Sequence, residues 1–189
     1  MARVLVIALV LLVPAGGASA HVDQPAHRSG SPLAVVHGAR AAARISVASS
    51  LERQLADAVN AERVRHGLAP LRINRLLAGA ARGHSTSMAE HGYFDHDAFG
   101  GAPFWQRIRA AYPALPGRVW RAGENLAWAA PDLSASQAVE MWLSSPGHRK
   151  NLLAPSWREI GIGGVHAAAA PGVFDGLDVT IVTADFGAR

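Results

Sequence analysis

Apolar positions in the middle of the chain recur at helical spacing, and the period changes towards its end. Leu51, Leu55, Ala58 and Val59 fall at intervals of three and four, which predicts an amphipathic helix. Ser49 and Glu52 have the spacing of a capping box at its start, and Gly67 suits its end. Pro70 breaks the chain, and Asn74 is placed to cap a second helix running to His91 and Gly92. Its apolar face reads Leu77, Ala80, Ala81, His84 and Met88. Gly79 and Gly83 are expected to admit a close neighbour. A loop from Tyr93 to Gly101 follows, and Pro103 opens a short helix carrying Phe104, Trp105 and Ile108.

From Pro113 to Pro131 the pattern predicts mostly loop, holding Gly123-Glu124-Asn125-Leu126-Ala127-Trp128. Ser134 and Gln137 make another capping box, for a helix bearing Ala138, Val139, Met141 and Trp142 and stopped before Pro146. Beyond it, Ile160 to Val165 and Val179 to Phe186 read as two strands, linked across Pro171-Gly172 to Asp175-Gly176. Helices come first and strands last. The expected class is therefore α+β, with helices packed on a mainly antiparallel sheet.

Composition narrows the picture. Of 189 residues, 50% are hydrophobic and 17% charged, which fits a folded domain rather than a disordered chain. The absence of cysteine excludes a disulfide scaffold, a thiol nucleophile and any thiolate metal site. Eighteen basic against fourteen acidic residues give +4, too weak and too spread a charge to indicate nucleic acid.

The N-terminus points to export. Arg3, the apolar run Val4 to Val13, and Ala18-Ser19-Ala20 after Pro14 and two glycines have the form of a secretory signal peptide over residues 1–20. The run is too short for a membrane span, which needs roughly twenty apolar residues. No transmembrane span is expected in the mature protein. Residues 21–48 are turn-rich around His27 to Pro32 and read as a flexible linker, leaving residues 49–189 as the domain.

The chain lacks a Gly-x-Ser-x-Gly elbow, a His-Glu-x-x-His zinc helix and a phosphate-binding glycine loop. Four residues carry candidate chemistry. His96 stands in a loop between Asp95 and Asp97, acids that would raise its basicity if close, although exposed loop histidines are common. Glu124, beside apolar Leu126 and Trp128, would need a partner if buried, as a site residue or as a structural carboxylate. His148 follows Ser145-Pro146-Gly147, a turn able to aim it into a cleft, or it simply ends a helix. His84 lies on the apolar stripe and reads first as a core histidine. If His96, His148 and Glu124 converge, neutral imidazoles suit Zn²⁺, with the carboxylate as ligand or base. Spacing does not establish that they do.

A longer ordered set of motifs resembles a known family. It runs through Asn60-Ala61-Glu62-Arg63, His66-Gly67-Leu68-Ala69-Pro70-Leu71, His84-Ser85, and Gly92-Tyr93-Phe94-Asp95-His96. It continues through Gly123-Glu124-Asn125-Leu126-Ala127, Ala138 to Leu153, Glu159-Ile160-Gly161-Ile162-Gly163 and Asp185-Phe186-Gly187. This set, covering nearly all of Leu51 to Gly187, is similar to bacterial CAP domains, the superfamily of cysteine-rich secretory, antigen-five and pathogenesis-related proteins.

The resemblance implies a three-layer α–β–α sandwich and a cleft with two histidines and two acids. His96 matches the first histidine, Glu124 one acid and His148 the second histidine. The other acid of animal and plant members falls near Ser145, so a mechanism requiring both acids does not carry over. Glu140 lies on a different helical face and does not replace it. Two functions follow as expectations. The preferred one is a secreted, extracellular or cell-wall-associated binding module for a lipid, peptide or cell-envelope ligand. The alternative is a metal-assisted hydrolase, with His96 and His148 holding Zn²⁺ and Glu124 activating water. The oligomeric state stays open.

Overall fold

Strand β1 (Arg44–Val47) opens the part of the chain that the computed structural model describes, residues 43–189. The expected signal peptide and the linker up to residue 42 lie outside the described residues. Residues 44–47, which composition suggests are linker, instead pair antiparallel with strand β4 (Glu159–Ala168), Ser46 standing opposite His166.

Helix α1 (Ser49–Arg65) follows at once, burying Leu51, Leu55 and Val59. The predicted capping box does not form. Ala48 is the N-cap, because its N–H is held by Gly164 O at 2.9 Å and the helix therefore starts one residue earlier. Freed from capping, Glu52 accepts from Gly164 N–H at 2.9 Å and from Arg82 Nε at 2.8 Å, tying α1 to sheet and neighbouring helix.

After a two-residue strand β2 (Arg72–Ile73), parallel to β4, helix α2 (Arg75–His91) is capped as predicted. Asn74 accepts from the Leu76 and Leu77 amides, and Gly92 closes the helix at φ 69°, where glycine is favoured. The stripe Leu77, Ala81, His84 and Met88 is buried. The close approach to this helix arises from strand glycines, not from its own. A Cβ on Gly161 would stand 2.0 Å from Ala78 N and one on Gly163 2.0 Å from Arg82 N, whereas Cβ atoms on Gly79 or Gly83 would meet nothing within 4 Å. Helix glycines 79 and 83 thus look outward, and α2 rests directly on β4.

Helix α3 (Phe104–Ala111) starts after Pro103 and buries Phe104 and Ile108. The stretch expected to be loop holds a nine-residue strand, β3 (Arg121–Ala129). Residues 122–128 are all buried, so the alternation that would have marked a half-exposed strand is missing. Helix α4 (Ala135–Ser144) carries the predicted capping box, with Gln137 N–H donating to Ser134 Oγ at 3.2 Å and Ser134 N–H to Gln137 Oε1 at 2.9 Å. Helix α5 (Pro146–Leu152) begins straight afterwards. Strands β4 and β5 (Val179–Ala188) are joined by a link containing the 3-10 turn Gly172–Phe174.

The sheet order is β1-β4-β5-β3, each neighbouring pair antiparallel, with β2 beside β4 off that path. One face packs against α1, α4 and α5 through Leu55, Val59, Trp142, Leu152, Ile162, Val182 and Phe186. The other meets α2 and α3 through Leu77, Met88, Ile108, Val165 and Ile181. This is an α+β fold in three layers, held by apolar packing on both faces of the sheet in a chain without disulfides. The last strand in the order, β3, has its carbonyls covered by side chains rather than by another strand. Trp142 Nε1 donates to Leu126 O at 2.9 Å and Asn151 Nδ2 to Glu124 O at 3.0 Å.

Candidate functional site

The residues singled out in the sequence meet beside β3. Only His96 lies in a loop. Glu124 sits inside β3, and His148 lies in α5, for which Ser145 is the N-cap and Pro146-Gly147 begin the first turn. His96, Glu124 and His148 are respectively 5%, 3% and 3% exposed, so the cluster is closed rather than a wide cleft.

His96 Nδ1 lies 2.7 Å from Glu124 Oε1. An ionised carboxylate only accepts, so Nδ1 carries the proton of this hydrogen bond. The His96 and His148 rings are 6.3 Å apart between centroids, and Phe104 lies 6.1 Å from His96. His148 is positioned by its backbone, since Asn125 Nδ2 donates to His148 O at 3.1 Å. Its Nε2 is buried and has no hydrogen-bond partner among the described residues.

Two further residues complete the cluster. Arg107 of α3 donates through Nη2 to Glu124 Oε2 and through Nη1 to Asp185 Oδ2, the latter at 3.0 Å. Asp185 lies directly opposite Glu124 across the β3–β5 pair. Like charges there repel, and one guanidinium bridges both. Both were visible in principle. Phe104, Arg107, Ile108 and Ala111 share the i, i+3, i+4, i+7 stripe, which places an arginine on the buried face of α3. Asp185 is a lone acid within the apolar strand Val179 to Phe186.

Burial and charge push the groups apart. Burial alone would raise Glu124, but the His96 hydrogen bond and the Arg107 charge prevail and hold it below the usual carboxylate range. Asp185 is driven well above that range by burial, with the Glu124 charge adding and Arg107 offsetting only part. His148 is held down to about 4 by burial and then by His96. His84, hydrogen-bonded through Nε2 to Asp95 O at 2.9 Å, is also lowered to about 4, mainly by burial. Its place beneath the His96 loop matches the core reading, with Glu124 and Arg107 near enough to act on its charge.

Both oxygens of Glu124 are thus engaged, by His96 and by Arg107. Among the described residues no three His, Asp or Glu side chains are arranged to hold a metal ion. Ser145, near which the resemblance places the second acid of animal and plant members, is buried, and its Oγ has no hydrogen-bond partner among the described residues. Glu140 is exposed on α4, away from this cluster.

The three-layer α+β fold is the one the resemblance to CAP domains implies, and family comparison agrees. The cysteine-rich secretory protein family (CAP) model matches residues 56–183, and the chain belongs to that family. Among its relatives is YkwD of Bacillus subtilis, 35% identical over 127 residues, covering 66% of this chain and 46% of that protein. The B. subtilis membrane protein YlbC is 37% identical over 117 residues, covering 62% of this chain and 32% of YlbC. The chain therefore spans less than half the length of these relatives. Among solved structures, an extracellular SCP-domain protein of Bacillus anthracis matches at 30% identity and TM-score 0.58, over 75% of this chain and 41% of that one. An outer surface protein of Borrelia burgdorferi shares the fold at TM-score 0.58 and 23% identity, over 78% of this chain and 98% of its own.

Proposed function

We propose that this chain is an exported binding domain whose His96–His148 site holds a ligand rather than hydrolysing one. Three buried polar atoms without hydrogen-bond partners among the described residues support it most directly: His148 Nε2, Ser145 Oγ and Arg107 Nε. Buried polar groups are rarely left unpaired, so together they suit a hydrogen-bonding occupant. The ligand class is a lipid, peptide or cell-envelope fragment presenting a polar group to these atoms. Export, to the extracellular space or the cell wall, is supported by the signal-peptide pattern and by relatives described as extracellular or outer surface proteins. No helix among the described residues is long and apolar enough to cross a membrane.

Hydrolysis fits the geometry less well. A general base works best near the operating pH, whereas Glu124 is held low and both its oxygens are occupied. Ser145 Oγ has no hydrogen bond to a base that would activate it. Asp185 and Glu124 have fully buried side chains, out of reach of a substrate.

The unpartnered His148 nitrogen favours one second reading, a Zn²⁺ site. The residues fit it in part. The Nε2 atoms of His96 and His148 would be the ligands, and Glu124 would orient His96 rather than bind the ion. Such an ion would supply Lewis acidity.

Native mass spectrometry of the chain purified from an exporting bacterial host tests the main proposal. The expected result is a co-purifying organic mass that His148→Ala removes. Clean apo-protein that also ignores a panel of lipids and wall fragments overturns it. Calorimetry with Zn²⁺ tests the second reading, which needs uptake lost in His96→Ala and in His148→Ala.

A further inference from the structure

Away from this site, a groove of about 610 Å³ runs past the end of α1, between the Gly67–Pro70 turn and Pro155. Three arginines line it, Arg63, Arg72 and Arg158, together with Trp157. We propose that this groove is a second binding site, for a phosphate-type dianion.

Arg63 carries most of the argument. It is 1% exposed, yet among the described residues no carboxylate lies within ion-pair distance of it. Its guanidinium donates instead to three main-chain carbonyls: Nε to Ala69 O at 3.1 Å, and Nη1 to Leu152 O at 2.7 Å and Ala154 O at 3.1 Å. Carbonyl dipoles accept from its Nε and Nη1 but leave its positive charge uncompensated at the groove floor. Burying a charge without a counter-ion is costly, and the neighbouring Arg158 adds repulsion. Burial first and Arg158 second hold Arg63 below the ordinary arginine range.

The other two arginines are on the rim. Arg158 donates to Pro155 O at 2.8 Å and Trp157 O at 2.9 Å and is exposed. Arg72 reaches Glu159 only at 3.4 Å, with its side chain 79% exposed. Glu159 does not line the groove and is shared with Tyr112 and Asn74. Three cations against one distant carboxylate leave about two charges uncompensated, more than a single carboxylate ligand would neutralise. Guanidinium groups also match the geometry of phosphate oxygens. The site is independent of the His96–His148 cluster, so the two proposals stand or fall separately.

The test titrates the ¹⁵N-labelled full chain with inorganic phosphate at neutral pH and constant ionic strength. Saturable shifts are expected in the amides of Gly67, Leu68, Trp157 and Arg158. Binding should weaken at least roughly tenfold in the Arg72→Gln/Arg158→Gln double variant, with a smaller loss in each single variant, while Arg118→Gln binds as wild type. Spectral dispersion in the same experiment reports whether each variant is folded. Vesicles identify the source of the anion. Sedimentation with phosphatidylglycerol but not phosphatidylcholine vesicles, lost in the double variant, assigns a lipid headgroup. Phosphate binding without vesicle binding assigns a soluble phosphate, and either result supports the site. The proposal is overturned if wild type shows no saturable shift, if acetate binds equally well, or if the folded double variant binds phosphate undiminished.

Discussion

Gly163→Ala and Gly83→Ala should change stability in opposite directions, although both add one methyl group beside the same helix. On Gly163 the new Cβ would lie 2.0 Å from Arg82 N and 2.3 Å from Ala81 C and Arg82 Cα, all main-chain atoms. No side-chain rotation relieves such a clash, so α2 must move more than an ångström off β4. Overpacking typically costs about 1–3 kcal/mol, and a displaced main chain belongs at or above the top of that range. The same shift opens the layer around Leu77, Ala81 and Met88, each 0% exposed, so we expect a loss of at least about 3 kcal/mol. Gly83 lies inside α2, and a methyl group added there would meet nothing within 4 Å. At that position alanine should stabilise by about 0.5–1 kcal/mol through helix propensity and reduced unfolded-state entropy. Urea unfolding of the two variants, followed by circular dichroism, measures both. A Gly163→Ala variant within about 1 kcal/mol of wild type would refute the direct seating of α2 on β4.

The remaining predictions concern charge and capping. Arg107→Leu should cost about 3–5 kcal/mol by stranding Glu124 and Asp185 opposite each other, and adding Asp185→Asn should recover part of that; urea unfolding of single and double variants decides, and no recovery would sink the bridging role. His84 and His148 have folded values near 4 against 6.5 unfolded. The unfolded state therefore takes up protons first, and stability is full above about pH 6.5 and falls by roughly 1.4 kcal/mol per unit per histidine towards pH 4. The raised Asp185 works in the opposite sense, since the folded state takes its proton first as pH drops. The comparison that isolates His84 is therefore wild type against His84→Gln, whose stability should depend less on pH over this window; equal slopes would rule out a buried neutral His84. Ser134→Ala should destabilise by about 1 kcal/mol while Ser49→Ala stays near neutral, because only Ser134 is an N-cap. Thermal melts of the pair suffice to check this.

Which parts of the fold could be read from sequence depended on whether local chemistry or distant packing set the structure. Asn74 and Ser134 satisfy helix amides with their own side chains, so their spacing was informative. Ser49 and Glu52 have equally good spacing, but Gly164, more than a hundred residues away, takes Ala48 and Glu52 and moves the cap. Strand β3 was hidden for a related reason. It is covered on both faces and along its outer carbonyls, so Gly123 to Trp128 shows no alternation to distinguish it from a loop. Strand β1 owes its conformation to pairing with β4, which four residues of unremarkable composition do not announce.

The site shows the same division, with a chemical consequence. His96, Glu124 and His148 stand together, and the other acid of the network, Asp185, comes from β5. A carboxylate at 145 would lie one helical turn from His148 and would favour its protonated form. With serine there, nothing offsets burial and the proximity of His96, and the ring is held neutral down to about pH 4. Asp185 is paired with Arg107 and sits across the strand from Glu124. By fixing Arg107 it steadies the His96–Glu124 pair without reaching the His148 nitrogen. His148 is therefore neutral, with a lone pair on its ring, over the physiological range. Such a nitrogen accepts a hydrogen bond or ligates a metal, and it is a weak proton donor, in keeping with the proposed ligand-holding role.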